Sequence, residues 1–527
     1  MRIAEWAEVS RRLLALVVSS AAAVAFAPTV AGASPASPSP AGPSLHAVVT
    51  VRPGATLPSS IPGGHVLARF PNVGAELVSA PAAALRALGA DPRVAGVSPD
   101  RRGHVTGDDR GNDDGDGGSA DGVLVAKAIG GDAGKAGTGQ GVNVALLDTG
   151  VSDTAALSRD SGRITDGVDV SSLASGGDAR TSGQFTDGYG HGTFMASLIA
   201  GGQVKGSGRR AIGVAPAARI VVVKVADSAG NTSLAEVLAG LDWVAAHARA
   251  IQVVNLSLSV DRPTAPAYGA DPLTAAVEHV RAAGIVVVAA AGNVAGQVGD
   301  PGLDPQSLTV GAADVTGRTK VASFSGSGVV AGVSKPDVVA PGLHVLGVVP
   351  AGSAVAKANP QGWTRDGLFK GSGTSEAAAV TSGVAAAYLS THPNASPLEV
   401  KAAIRTAADP MRDARAGAGL VSIPKRFAGS GVGAAGEAGF DGASWSANAW
   451  TGVRGWQSKL DAKWSGDAWS AATWSAATWS AATWSSSNWS AATWSAATWS
   501  AATWSAATWS AATWSAATWS DYGWGDA

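Results

Sequence analysis

The chain has 527 residues, no cysteine, and a formal net charge of −2 from 38 basic and 40 acidic residues. That length allows several domains with sizeable cores. The absence of cysteine excludes disulfides, thiol catalysis and thiolate metal sites, and the balanced charge gives no footprint for nucleic acid or an anionic membrane as partner.

In chain order, Arg2, Arg11 and Arg12 precede an apolar run over 13–27 and the small residues Ala31, Gly32 and Ala33. This pattern reads as a secretory signal peptide over 1–33 and predicts a secreted, extracellular protein; an uncleaved anchor is the alternative, although the run is short for a membrane span. Residues 34–46 are a Ser-, Pro- and Ala-rich linker. Over 47–100 the pattern becomes a small α+β, βαβ-type module, with strands at 47–51, 65–70 and 94–97 and a helix at 82–88. Residues 101–121 are rich in Gly and Asp and predict an acidic, easily nicked connector. Its Asp108, Asp109, Asp113 and Asp114 have the oxygen chemistry calcium takes, but their spacing lacks the known loop pattern, and a solvated linker is the simpler reading.

From 122 to 425, runs rich in Val and Ile alternate with Ala-rich helical stretches, which predicts one α/β domain with a parallel central sheet covered by helices. Strands are expected at Val142–Leu147, Ile220–Val225, Val253–Leu258 and Gly284–Ala290, with helices at Leu234–Ala248 and Pro272–Ala283 between them. Active sites in such sheets lie beyond the carboxyl ends of the strands. Asp148 stands at the first such end, where Asp serves either as a turn residue or as a catalytic carboxylate. His191, between Gly190 and Gly192 at the start of an apolar helix, is a solvent-facing loop histidine or a base. The strand through Ser257, Leu258 and Ser259 offers its edge to an extended peptide. Asn293, closing the fourth strand, is a turn residue or an amide donor to an oxyanion. Ser375 follows Gly371-Ser372-Gly373-Thr374 at the start of a buried helix; it is a cap or a nucleophile, and an oxyanion beside it would meet the positive end of the helix.

Asp148-Thr149-Gly150, His191-Gly192-Thr193, Gly292-Asn293 and Gly373-Thr374-Ser375, in that order, resemble the motifs of the subtilisin-like serine proteases, whose triad runs Asp, His, Ser. Gly213-Val214-Ala215-Pro216, Ser323-Phe324-Ser325 and the stretch Asp337 to Gly342 agree with the same family. The resemblance implies a three-layer subtilisin-like domain over 122–425 and makes 47–100 similar to the family's inhibitory propeptide, which acts as a folding chaperone and is then cut away. It further implies that Ser375 is the nucleophile, His191 the general base and Asp148 its orienting partner. Asn293 and the Ser375 N–H would form the oxyanion hole, the side-chain donor contributing about 3–4 kcal/mol. Ser257, Leu258 and Ser259 would pair with substrate, and Ala290, Ala291 and Gly292 would line the specificity pocket above Gly299. A Gly floor favours large apolar side chains, whereas Asp300 and Asp304 nearby favour basic ones. The chain departs from the pattern at Glu376, Ala379 and Ser259, where the family usually has Met, Pro and Gly; a carboxylate at Glu376 opposes an oxyanion unless it is paired or turned away. No metal or cofactor ligand set is legible, although calcium is common in the family.

After a Gly- and Ala-rich linker over 426–444, Trp recurs every fifth residue from Trp464 to Trp524, mostly as Trp-Ser-Ala-Ala-Thr, giving a tail over 445–527. That period gives no single apolar face to a helix or a strand. It suits stacked solenoid repeats or an unfolded low-complexity segment. Regular indoles suit adhesion to cell wall or polysaccharide. The sequence therefore predicts a secreted, propeptide-inhibited serine endopeptidase acting on proteins or peptides; the alternative is a catalytically weak surface- or cell-wall-binding protein that acts through its tail.

Overall fold

The computed structural model describes residues 43–105, 122–130, 137–204, 211–261, 271–330 and 332–423. The expected signal peptide, the acidic connector beyond Val105, the second linker and the Trp tail lie outside them.

The amino-terminal unit consists of β1 (Ser44–Val51), β2 (Ser60–Ile61), β3 (Gly64–Phe70), β4 (Ala75–Pro81), α1 (Ala82–Leu88) and β5 (Val94–Pro99), in the sheet order β2-β3-β4-β1-β5. β1 is antiparallel to both β4 and β5, so these two run parallel on either side of it and, with α1 between them, make a split βαβ unit. β4 is missing from the sequence expectations because it is buried along its whole length and shows no polar alternation. The alternation is instead between two cores. Val49 and Val78 face α1, while Val48 and Leu77 pack into a cluster with Val237, Leu238 and Leu241 of the larger unit.

β6 (Arg102–Val105) follows, within what composition alone marks as a linker. The larger unit then runs through α2 (Gly122–Ala128), β7 (Asn143–Asp148), β8 (Ile164–Asp169), α3 (His191–Ala200), β9 (Arg219–Lys224), β10 (Asn231–Ser233), α4 (Leu234–Ala246), β11 (Val253–Leu256) and β12 (Leu258–Val260). It continues with α5 (Pro272–Ala282), β13 (Val286–Ala290), β14 (Leu308–Asp314), β15 (Lys320–Val321), β16 (Val338–Pro341), α6 (Thr374–Thr391) and α7 (Pro397–Ala407). The central sheet has the order β15-β14-β13-β11-β7-β9-β8, with β16 along β14, and every pairing except β14–β15 is parallel. Along β7, Val144 and Leu146 face the layer of α3 and α6, and Ala145 and Leu147 face that of α4 and α5. This is the expected three-layer α/β domain.

One expected element is divided. The strand predicted over Val253–Leu258 stops at Leu256 and resumes at Leu258. β11 belongs to the central sheet, whereas β12 leaves it to join β6 and β10 in the three-stranded order β10-β6-β12. Ser257, at the break, turns its hydroxyl onto Asn255 Oδ1 (2.8 Å) and the carbonyl of Ser375 (3.1 Å).

Candidate active site

Asp148 is the last residue of β7, and His191 is the first of α3, so both stand at the carboxyl edge of the sheet. Both are buried, and His191 Nδ1 lies 2.8 and 2.9 Å from the two Asp148 oxygens. The carboxylate also accepts the Thr149 N–H at 2.8 Å, which fixes its plane. Asp148 thus holds the Nδ1–H tautomer and leaves Nε2, which makes no hydrogen bond among the described residues, to take a proton. Burial pushes the imidazole down, but Asp148, with Glu376 and Asp187 adding to it, reverses that and holds His191 up at about 9.

Asp187 is a residue that sequence reasoning missed. Buried four positions before His191, it accepts from the N–H of Gly190 (2.6 Å) and from both the N–H and Oγ1 of Thr193 (2.8 Å each), tying down the first turn of α3. Its other link is Thr149 Oγ1 at 2.8 Å, so one carboxylate braces the residue after Asp148 and the helix that carries His191. The usable signal was an acidic residue just ahead of a Gly-His-Gly helix start.

Ser375 lies in the first turn of α6, which packs against α3. Its Oγ donates to the carbonyl of Ser257 at 3.2 Å, so the resting hydroxyl is turned towards the strand edge. Asn293 Oδ1 accepts both the N–H and Oγ1 of Thr374 at 2.9 Å, which directs the Nδ2 donors to the opposite side. The buried Glu376 side chain turns back over Gly371, where an added Cβ would come within 2.6 Å of Glu376 Oε1 and 2.9 Å of the Phe194 ring.

The residues expected to bind substrate fall together. Leu258 and Ser259 pair with Val105 and His104 of β6, with β10 on the strand's other side. Gly299 N–H donates to Ala291 O at 2.8 Å, and Gly292 takes φ 90°, a conformation that favours glycine. Ser259 Oγ lies 3.0 Å from where a Cβ on Gly299 would stand, so a larger residue there would have to push that hydroxyl aside. The structure corrects one expectation. Asp300 and Asp304 are fully buried, the first paired with Arg101 and the second enclosed beside Glu278 and Lys335, so neither offers charge to a side chain above Gly299. Among the described residues, no group of three or more His, Asp or Glu is arranged to hold a metal ion.

A model of the subtilase family, Peptidase S8, matches residues 139–420. Serine protease AprX of Bacillus subtilis (strain 168) is 32% identical over 290 residues, covering 52% of this chain and 63% of its own length. Alkaline elastase YaB of Bacillus sp. (strain YaB) is 32% identical over 287 residues, 54% of this chain and 64% of its own. This chain therefore spans less than two thirds of either relative. Subtilisin Savinase of Lederbergia lenta is 33% identical over 289 residues, which is 90% of that protein and 54% of this chain. In fold, the chain resembles fervidolysin from Fervidobacterium pennivorans, a keratinolytic enzyme related to subtilisin, with a TM-score of 0.55 at 22% identity over 72% of this chain and 60% of that one. Because the family model covers more than half of the chain and spans Asp148, His191, Asn293 and Ser375, this chain belongs to the subtilase family.

Proposed function

We propose that the protein is a secreted serine endopeptidase made as a propeptide-inhibited zymogen. The observation that carries the reading is the Asp148–His191 pair, with Nε2 available, at the sheet edge where Ser375 opens α6. In the reaction, Ser375 Oγ leaves the Ser257 carbonyl, gives its proton to His191 Nε2 and attacks the substrate carbonyl. The oxyanion is held by Asn293 Nδ2 and the Ser375 N–H. His191 then passes its proton to the leaving amine, and water, deprotonated by the same nitrogen, hydrolyses the acyl-enzyme. Asp148 stabilises the imidazolium at each passage.

The zymogen reading is supported by β6, which lies between β10 and β12 as an added strand, where a protein substrate would pair. Residues 43–105 thus act as an intramolecular inhibitor, and processing falls beyond Val105, in the Gly- and Asp-rich connector. Secretion rests on the signal-like segment 1–33. The Trp repeats, by their indole chemistry, serve to hold the enzyme on cell wall polysaccharide.

The test is labelling of the secreted protein with a fluorophosphonate, with wild type and Ser375→Ala compared and both sized by mass spectrometry. Labelling and an amino terminus past Val105 are expected in wild type alone, with kcat falling about a millionfold in the variant. Equal labelling of the two, or none in a folded and processed chain, rejects the reading.

A further inference from the structure

Arg101, immediately before β6, is an arginine buried at the junction of the two units. It is 8% exposed, and the two carboxylates it meets, Asp271 and Asp300, are 2% and 0% exposed. Its Nη1 donates to the carbonyl of Asp261 at 2.8 Å and to Asp300 Oδ2 at 3.1 Å, and its Nη2 donates to Asp271 Oδ1. Apart from Arg101, the described backbone groups that position the two acids belong to the larger unit. Asp271 caps α5, accepting the N–H groups of Leu273 and Thr274 at 3.0 Å through Oδ2, which leaves Oδ1 aimed at the guanidinium. Asp300 is fixed by its own carbonyl, which accepts the Val260 N–H at 2.9 Å at the end of β12. Its second oxygen, Oδ1, is buried and makes no hydrogen bond among the described residues. Burial, and then Asp271 alongside, push the Asp300 carboxyl well above its ordinary range, with Arg101 pulling the other way. Two carboxylates placed this close, with a carbonyl beside them, are a receptor for a cation, and the planar guanidinium is the cation whose fork spans them.

We propose that Asp271 and Asp300 form a recognition subsite for an arginine side chain of the protein substrate, opened when the amino-terminal segment leaves the cleft. The inference rests on the reading that residues 43–105 are a propeptide that is removed. β6 supplies the register. His104 stands opposite Ser259 and Val105 opposite Leu258, so the next residue of an added strand falls opposite Ser257, which is bonded to Ser375. The arginine therefore lies five residues before the one opposite Ser257, the sixth on the acyl side of the scissile bond, counted along the antiparallel pairing. Without Arg101 the two carboxylates are left facing each other with no cation between them among the described residues, and a substrate arginine restores the arrangement that the zymogen displays.

The experiment uses the mature wild-type enzyme, shown by mass spectrometry to begin beyond Val105, and three otherwise identical peptides with Arg, its neutral isostere citrulline, or Glu at that position. The expected result is a kcat/KM about tenfold higher for Arg than for citrulline, with Glu lower still. In Asp300→Asn the Arg-to-citrulline ratio should fall towards one. Equal kcat/KM for the three peptides on a correctly processed enzyme overturns the subsite and leaves the propeptide reading standing. A chain that keeps residues 43–105 bound in the cleft overturns both.

Discussion

In the proposed mechanism His191 is the general base and has to be unprotonated when substrate arrives, yet it sits among Asp148, Glu376 and Asp187, which together hold its pKa up at about 9 against the downward pull of burial. The acid limb of kcat/KM should therefore lie in the alkaline range, with activity climbing from neutral pH through about 9. Glu376 stands where the family usually has Met, and its carboxylate acts on the imidazole without touching the Asp148–His191 bond. Glu376→Gln should move the acid limb to lower pH, read from kcat/KM profiles of the two mature enzymes; an unmoved limb would mean that Glu376 carries its own proton. Linkage gives the stability side of the same shift. Because the folded value lies above the ordinary 6.5, the protonated base stabilises the fold fully below 6.5, and that contribution is lost as pH rises through about 9.

At the scale of elements, Lys335 shows how the loops at the sheet edge are tied. Its ammonium, fully buried, donates to the carbonyls of Pro305 (3.1 Å) and Ser307 (2.9 Å) and to Asp337 Oδ2 (2.8 Å). Carbonyls and a carboxylate converging in this way would suit a cation, and here the chain supplies its own. Burial lowers Lys335 to about 8, and Asp337 opposes the fall. Lys335→Met leaves the buried Asp337 carboxylate with the Thr309 N–H (2.8 Å) and, 3.0 Å away, the Lys401 ammonium, and should cost roughly 3 kcal/mol in denaturant unfolding. None of this was legible in the sequence, where Lys335 and Asp337 are ordinary loop charges. The placement of Asp148, His191 and Ser375 at element ends was legible because each stands in a short local motif beside an apolar run. β6, the break at Ser257 and the Arg101 cluster were not. Arg101 meets its partners 170 and 199 residues away, and the tetrapeptide Arg102-Gly103-His104-Val105 becomes a strand only because β10 and β12 supply both its edges.

At the scale of the whole molecule, an apolar cluster holds the amino-terminal sheet on the larger unit. Val48, Phe70 and Leu77 pack into one cluster with Val237, Leu238 and Leu241 of α4, and at its margin Asn72 donates its N–H (2.6 Å) and Nδ2 (3.2 Å) to the Asp242 carboxylate. Phe70 is 3% exposed and is the bulkiest apolar side chain that the sheet contributes there. Truncating it should loosen the sheet while leaving β6 and its Arg101 anchor in sequence. A buried aromatic at such a junction is worth about 2–3 kcal/mol, or roughly 30- to 150-fold in affinity. If the sheet acts only as an inhibitor, Phe70→Ala should shorten the lag before the secreted protein reacts with a fluorophosphonate and leave the final extent of labelling unchanged. If α4 needs the sheet in order to fold, the same substitution should instead lower the yield of labelled protein at every time. The time course separates the two, because loss of inhibition changes the rate of appearance and loss of folding assistance changes the plateau.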